Sequence, residues 1–402
     1  MDFEFSTGLY YNYTLFKERS LSVKRINHSI ISPLISKLNK QFFNVSVAGH
    51  SYAGKEIKLI TTGKGEKKIF MWSQMHGDES TATMAMFDIF NFLSVKDGYN
   101  SIRDKFFENA TLYFLPMVNP DGAEEWKRGN YLDIDINRDA FRTQTPEGKI
   151  LKDTFKDIKA DFGFNLHDQN PRYSVGNSYR NAAISFLAPP YNKNRLINKT
   201  RSDAISLISG LTRVLNKIIP GHIGKYSDEY EPRSFGDTFQ GLGTSTILIE
   251  SGGWKDDAEK QFLRKLNFIL LLSSINSIID GDYKDETPDL YDKLPLNEEY
   301  LYDLVLKNLN YSGNERKCQV DLAINRNEDT SKSSGKTEYI ASIENIGDLS
   351  IFHGLDEINL EGYEIECPNS KMGLGKSPDL LLKKNGKVKY TVRNGVLANP
   401  LL

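Results

Sequence analysis

The stretch 67-KKIFMWSQMHGDESTATMAMFDIF-90 decides the fold, because an apolar run ends in His76-Gly77-Asp78-Glu79 and a second apolar run follows at once. The first run, KKIFMWSQ, is typical of a buried strand, and STATMAMFDIFNFLSV is typical of a helix. The polar tetrapeptide therefore lies in a loop between a strand and a helix. In open α/β sheets, ligands bind at the carboxyl ends of strands.

Strand and helix patterns alternate on both sides of this stretch. FNVSVAGHSYAGKEIKLITTG predicts two strands around a turn, and ATLYFLPMV, DFGFNLH, AAISFLAP and TSTILIES predict further strands. Helices are predicted for the amphipathic run near residues 194–219 and for DAEKQFLRKLNFILLLSSINSIID. Apolar strands interleaved with helices predict an α/β fold with a mixed, largely parallel central sheet flanked by helices.

The pattern differs at the two ends of the chain. Residues 1–42 predict an N-terminal helical segment with one helix, SIISPLISKLNKQ, packed on a catalytic domain over residues 43–283. The charged, Pro-containing GDYKDETPDLYDKLPLNEEY predicts a linker. Short alternating runs separated by turn signals then predict a small β-rich C-terminal domain over residues 297–402.

Composition limits the function classes. The 402 residues include 51 Lys+Arg and 53 Asp+Glu, and this balance argues against a nucleic-acid or membrane partner, which would favour a basic patch. Two cysteines give neither a disulfide framework nor a cysteine-rich metal site. The N-terminus has no signal-peptide pattern, which favours the cytoplasm; a leader removed from the sequence would make the protein periplasmic or secreted.

Three residues form a candidate metal site. His76 and Glu79 follow one predicted strand, and His167 ends another in FGFNLHDQN. A set of two histidines and one glutamate suits zinc and leaves a fourth position open, as catalytic zinc sites require. The alternative is that Glu79 only stabilises the first turn of the helix through its dipole.

Two further strand ends carry charged residues. The loop after TLYFLPMV contains Arg128 and Arg138, whose planar guanidinium groups suit recognition of a carboxylate or an oxyanion, although surface ion pairs are the alternative. Glu250 ends the apolar strand TSTILIES. Burial there would raise the pKa of its carboxyl, which suits a general base, although a structural acid is the alternative.

Taken in order, these motifs resemble the zinc carboxypeptidase family of the carboxypeptidase A type. GHSYAGKEI is similar to its G-x-S-x-x-G-R-x-I segment with Lys55 in place of Arg, HGDE to its zinc pair, and NPDG and INRD to its substrate-binding loop. His167 resembles the third ligand, and ILIES resembles the strand with the catalytic glutamate. The short spacing between Arg128 and Asn137 is closer to the microbial branch of the family.

The resemblance implies a role for each matching residue. One zinc ion would be bound by His76, Glu79 and His167, and Glu250 would activate the zinc-bound water and pass its proton to the leaving amine. Arg128 would stabilise the oxyanion. Asn137 and Arg138 would bind the free carboxylate of a peptide or peptide-like substrate, and Tyr230, or else Tyr226, would hold that substrate. Arg233 either favours acidic side chains or pairs with a neighbouring glutamate.

Three functions remain open at this stage. The first is a zinc-dependent metallocarboxypeptidase-like hydrolase that cleaves a C-terminal amide bond. The second is an amidohydrolase or deacylase of the same fold, acting on cell-wall peptides or N-acyl amino acids. The third, a non-catalytic zinc-binding module, is disfavoured because Glu250 is present.

Overall fold

A computed structural model describes residues 1–313, 316–331, 335–368 and 371–399. Its helices are α1 (Phe3–Asn12), α2 (His28–Ser36), α3 (Thr81–Ser94), α4 (Asn100–Asn109), α5 (Pro120–Glu125), α6 (Pro146–Ile158), α7 (Lys199–Leu215), α8 (Phe235–Gly241), α9 (Gln261–Asp280) and α10 (Asp289–Asp292). Its strands are β1 (Asn44–His50), β2 (Glu56–Gly63), β3 (Lys67–Ser73), β4 (Ala110–Leu115), β5 (Phe162–Asp168), β6 (Ser174–Val175), β7 (Ile184–Leu187), β8 (Ile223–Lys225), β9 (Ser245–Ser251), β10 (Asn297–Glu298), β11 (Leu301–Gly313), β12 (Arg316–Glu328), β13 (Tyr339–Gly347), β14 (His353–Asn359), β15 (Glu364–Glu366), β16 (Leu380–Lys384), β17 (Lys387–Arg393) and β18 (Val396–Ala398).

The chain divides into two compact units. The first consists mainly of Met1–Asn170 and Ala183–Asn297. The second consists mainly of Pro171–Ala182, Glu298–Ser331 and the chain from Thr337 onwards. The short insertion after β5 thus belongs to the second unit, although its neighbours in sequence belong to the first.

The first unit is built on an eight-stranded sheet in the order β1-β2-β4-β3-β5-β9-β7-β8. The central pairs β4-β3, β3-β5 and β5-β9 are parallel, whereas β1-β2, β2-β4 and β9-β7 are antiparallel. The prediction of a mixed, largely parallel sheet is confirmed. Because β3, β5 and β9 run in the same direction, their carboxyl ends meet at one edge of the sheet.

Side chains of β3 alternate between two apolar cores, because successive residues of a strand face opposite sides of a sheet. Ile69 and Met71 pack into the core that helices α1, α3, α7 and α9 share with the sheet. Phe70 and Trp72 pack into the opposite core, where Phe155 of α6 and Phe239 of α8 meet them. The sheet is therefore buried on both faces, which accounts for the uninterrupted apolar run in the sequence.

Helix α9 is the one helix among the described residues that is long and apolar enough to cross a membrane. In the most apolar stretch of 18 residues in this helix, 83% of the residues are buried. The helix contacts α3, α1 and strand β3, so the fold of this unit accounts for its apolar composition.

The structure contains elements that the sequence reading did not predict. Helix α1 was not expected; the Asp2 carboxylate caps it by accepting a hydrogen bond from the Phe5 amide at 2.9 Å. The predicted linker instead contains α10 and packs on the first unit, because Tyr283 and Tyr291 are buried in its core. Two aromatic anchors in a charged segment thus outweigh its polar composition.

The second unit is β-rich, as predicted for the C-terminal region. Its strands form a sheet in the order β13-β12-β11-β15-β16-β17-β18, and β14 also pairs with β11. Leu306, Leu322, Ile343 and Leu382 are fully buried in its core. This unit therefore has an apolar core of its own.

Candidate metal centre and active site

The turn after β3 carries the first two candidate ligands, and its tight path depends on glycine. A Cβ atom on Gly77 would lie 2.0 Å from the backbone carbonyl carbon of Gly122, so no larger residue fits there. Gly122 belongs to NPDG, where the Asn119 side chain caps α5 by accepting a hydrogen bond from the Gly122 amide at 2.9 Å. The HGDE and NPDG motifs therefore pack against each other through their glycines.

His76, Glu79 and His167 are buried together, as expected from their places at neighbouring strand ends. The His76 Nδ1 atom lies 2.7 Å from Glu79 Oε1, and His167 Nδ1 lies 2.7 Å from Glu79 Oε2. The two Nδ1 atoms are 3.1 Å apart. One donor atom from each residue thus faces a common point, with all of them within 4.8 Å of one another.

This donor set fits a zinc ion. Zinc is bound by imidazole nitrogens and carboxylate oxygens, and a site with three protein ligands is the usual form of a catalytic site. Both imidazoles present Nδ1, and the remote Nε2 of His76 lies 3.0 Å from the Asp135 carboxylate. A carboxylate on the remote nitrogen fixes the tautomer and the ring orientation of a ligating histidine.

In the metal-free cluster, the two histidines have different pKa values. Burial alone would lower the pKa of His76, but the carboxylates of Glu79 and Asp135 raise it to about 9. Burial lowers the pKa of His167, and Glu79 offsets this lowering only in part. The two imidazoles hold the pKa of Glu79 below its ordinary value despite its burial. At neutral pH the metal-free His76 is therefore positively charged, with a proton on each ring nitrogen, and His167 is neutral.

Arg128 lies directly beside the candidate ligands. Its Nη1 atom is 3.1 Å from His76 Nδ1 and 3.2 Å from Glu79 Oε1. Its Nε and Nη2 atoms donate to Asp135 Oδ2 at 3.2 and 3.0 Å. Asp135 thus orients both His76 and Arg128, a role that the sequence reading missed.

Glu250 lies next to this cluster across the β5-β9 pair, where it is in register with His167. Burial raises the pKa of Glu250 well above its ordinary value, and the nearby carboxylate of Glu79 raises it further. Its side chain has no hydrogen bond to another described residue. The carboxyl is therefore available to exchange a proton, which a general base requires.

Asn137 and Arg138 lie in a short 3-10 turn, Ile136–Arg138, directly after Asp135. The Asn137 Oδ1 atom accepts a hydrogen bond from the Phe235 amide at 3.0 Å, while its Nδ2 group has no hydrogen bond within the described part of the chain. Arg138 is partly exposed, and its Nε atom lies 3.7 Å from Glu231 Oε2. Both side chains therefore retain donors for an anionic ligand.

The structure does not bring every predicted residue into the cluster. Tyr230 is half-buried, and its hydroxyl has no hydrogen bond among the described residues, so its substrate role stays a prediction. Arg233 pairs with Glu231 through two short contacts of 2.9 and 2.6 Å. Of the two readings offered for Arg233, the structure therefore favours the ion pair.

Some residues of the matching motifs have structural roles. The Asp121 carboxylate accepts hydrogen bonds from Ser51 Oγ and the Ala53 amide, both at 2.9 Å, and Lys55 Nζ lies 3.4 Å away. NPDG therefore holds the turn of the GHSYAGK segment. Asp78 is not one of the converging ligands, and burial raises its pKa to about 6.

Comparisons with known proteins agree with this geometry. The model of the zinc carboxypeptidase family matches residues 33–188. Carboxypeptidase SOL1 of Arabidopsis thaliana is 26% identical over 103 residues, a match that covers 23% of this chain and only 21% of that protein.

Solved structures show the same fold. A metallo-carboxypeptidase from Burkholderia cenocepacia superposes with a TM-score of 0.51 at 17% identity, and the alignment covers 63% of this chain and 69% of that protein. Carboxypeptidase A from Helicoverpa armigera superposes with a TM-score of 0.51 at 13% identity, and the alignment covers 70% of this chain and 81% of that protein. Residues 33–188 are thus similar to the zinc carboxypeptidase family, and the chain shares the fold of the solved metallo-carboxypeptidases.

Proposed function

We propose that the protein is a zinc-dependent hydrolase that removes the C-terminal residue of a peptide. The observation that carries the proposal is the convergence of His76, Glu79 and His167 beside Arg128, with Glu250 in register on the next strand. Hydrolysis of a C-terminal amide bond requires a metal site, a general base and a group that stabilises the oxyanion, and these residues would supply all three.

The ligands would hold a single zinc ion. When bound there, zinc acts as a Lewis acid and lowers the pKa of a water molecule. Asp135 would hold one His76 proton on Nε2, so that the proton lost when zinc binds is the one on Nδ1, the nitrogen that faces Glu79. Glu79 supplies the negative charge of the set and is already deprotonated at neutral pH, because the two imidazoles lower its pKa.

The other residues act on the substrate. Asn137 Nδ2 and the Arg138 guanidinium would bind the terminal carboxylate, since two donors matched to one carboxylate fix its position. Arg128, already directed at the ligand cluster, would stabilise the negative charge that develops on the scissile carbonyl oxygen. Glu250 would accept the proton of the attacking water and deliver it to the leaving amine.

The experiment that tests the proposal uses zinc-loaded protein and matched substrates. N-blocked dipeptides with a free C-terminal carboxylate should be hydrolysed, whereas the same dipeptides with a C-terminal amide should react much more slowly. A chelator should stop the reaction, and added zinc should restore it. Cell-wall peptide fragments and N-acyl amino acids complete the panel; cleavage of these alone would replace the peptide substrate with one of them.

A Glu250→Gln variant separates catalysis from metal binding. It should retain zinc at the wild-type stoichiometry and lose about 10²–10⁴-fold in rate, the usual contribution of a general base. Unchanged turnover would rule out Glu250 as the base. Zinc binding without hydrolysis of any substrate in the panel would favour a non-catalytic zinc-binding module.

A further inference from the structure

Gln74 is a buried residue with an unusual backbone conformation, two positions before the candidate ligand His76. Its φ angle is +49°, in the left-handed region that residues with a side chain rarely adopt. Its side chain is fully buried. Strained backbone of this kind persists only where the surrounding structure enforces it, and such residues cluster at functional sites.

The side-chain amide of Gln74 connects two parts of the chain. Its Nε2 group donates to the Gly77 carbonyl at 2.8 Å and to the Ile26 carbonyl at 3.2 Å. Because carbonyl oxygens only accept hydrogen bonds, the NH₂ group must face both of them. The Oε1 atom has no hydrogen bond among the described residues, so the two donated bonds account for the orientation of the amide.

A second contact joins the same parts of the chain on the other side of the ligand pair. Ser80, which directly follows Glu79, donates its hydroxyl to the Lys24 carbonyl at 2.5 Å. Gln74 and Ser80 therefore bracket the turn 76–79, and their partners are two carbonyls only two residues apart. We call residues 24–26 the N-terminal brace. The family match begins at residue 33, so this brace lies outside it.

The brace is itself held firmly in the first unit. The Lys24 amide donates to Glu259 Oε2 at 2.9 Å. Ile26 is 1% exposed and belongs to the apolar core. The contacts of Gln74 and Ser80 therefore lead to a fixed part of the fold, and the turn that carries His76 and Glu79 is attached to it at both ends.

We propose that Gln74 is a positioning residue that couples the N-terminal brace to the turn carrying His76 and Glu79, and thereby strengthens zinc binding. The inference rests on the zinc site of the proposed function. It assigns a role in that site to a segment outside the matched region. Loss of the Gln74 amide should let the turn move and should weaken zinc binding while the fold remains.

The test compares Gln74→Gly with Asn91→Ala. Glycine accepts the left-handed φ without strain and removes both donated bonds. Asn91 Nδ2 donates to the Phe16 carbonyl at 3.1 Å, so its replacement removes a bond of the same kind, from a side-chain amide to an N-terminal carbonyl, away from the metal turn. Zinc affinity is measured by competition with a chelator, and metal-free stability by urea unfolding.

We expect Gln74→Gly to weaken zinc binding about tenfold or more, as removal of a group that orients a ligand usually does. Amide hydrogen exchange at residues 77–79 should also become faster in the metal-free protein. Asn91→Ala should leave both measurements unchanged. Wild-type zinc affinity and wild-type exchange in Gln74→Gly would overturn the proposal.

Ser80→Ala keeps the proposal testable if Gln74→Gly does not fold. This smaller change breaks only the bond to the Lys24 carbonyl, and it should weaken zinc binding several-fold. Wild-type zinc affinity in Ser80→Ala, with no folded Gln74→Gly protein, would also overturn the coupling. None of these measurements depends on hydrolysis, so failure of the proposed activity would be recognised separately.

Discussion

Replacement of Asp135 by Asn should weaken zinc binding, although Asp135 is not one of the converging ligands. Its Oδ1 atom lies 3.0 Å from His76 Nε2 and accepts the Asn137 amide at 2.8 Å, while Oδ2 accepts two bonds from Arg128. Asparagine has nearly the same shape and can keep Oδ1. It loses the charge and turns an NH₂ group towards the Arg128 guanidinium.

The magnitude follows from these contacts. Loss of a carboxylate that orients a ligating histidine costs about 10–100-fold in metal affinity, which corresponds to about 1.4–2.7 kcal/mol. The upper half of that range is expected here, because His76 loses a charged partner and Arg128 is pushed out of place at the same time. Hydrolysis by the zinc-loaded variant should also slow, since Arg128 acts on the substrate in the proposed mechanism.

The assay is competition between apo-protein and a chromophoric chelator for zinc at fixed pH. Asp133→Asn is the matched control, because Asp133 lies in the same loop, is largely exposed and pairs with Lys127 rather than with the site. Urea unfolding in the presence of a chelator shows whether both variants keep the metal-free stability. A zinc dissociation constant for Asp135→Asn within about twofold of the wild type would refute the assigned role of Asp135.

Three more predictions concern charge. Because the pKa of His76 is raised to about 9, zinc should displace about one proton at pH 7, and the apparent zinc affinity should rise about tenfold per pH unit from pH 6 to 8. Calorimetry in buffers of different ionisation enthalpy measures the number of protons released. A heat of binding that does not depend on the buffer would contradict the prediction. Arg138→Lys should lower kcat/KM about tenfold or more for peptides with a free C-terminal carboxylate, because lysine lacks the planar guanidinium that donates two parallel hydrogen bonds. For the C-terminal amides, kcat/KM should stay unchanged. An equal loss for both substrates would exclude carboxylate binding by Arg138. Asp88→Asn should lower the free energy of unfolding by about 3–5 kcal/mol, since it leaves the fully buried Arg264 without its negatively charged partner. Asp280→Asn, in the exposed pair with Lys105, is the control and should cost about 0–1 kcal/mol. Equal losses in urea unfolding would refute the prediction.

Most of the first unit could be predicted from apolar patterns, because its central strands are buried on both faces and its helices pack on them. The strand KKIFMWSQ is an example, since residues 69–72 all face an apolar core. Helix α4 escaped prediction because its sequence, NSIRDKFFEN, is mostly polar and buries only Arg103 and Phe106. Tertiary contacts rather than periodicity keep it helical.

In the candidate site, the residues at strand ends could be predicted from the sequence, whereas the position of a residue in a loop could not. His76, His167 and Glu250 end or directly follow parallel strands that are neighbours in the sheet, so their meeting follows from topology alone. Asp135 reaches His76 through a loop, 59 residues away in sequence. Such a loop has no periodic pattern from which its path could be predicted.

The backbone of Gln74 could not be predicted either, because a glutamine at the end of the apolar strand KKIFMWS gives no sign that its conformation is left-handed. Its role depends on where the Ile26 carbonyl lies, and that position is set by the core contacts of the N-terminal brace. The sequence thus predicts which side chains can bind the metal, because strand ends must meet. The groups that orient those side chains come from Asp135 and the brace, whose positions follow only once the whole first unit has folded.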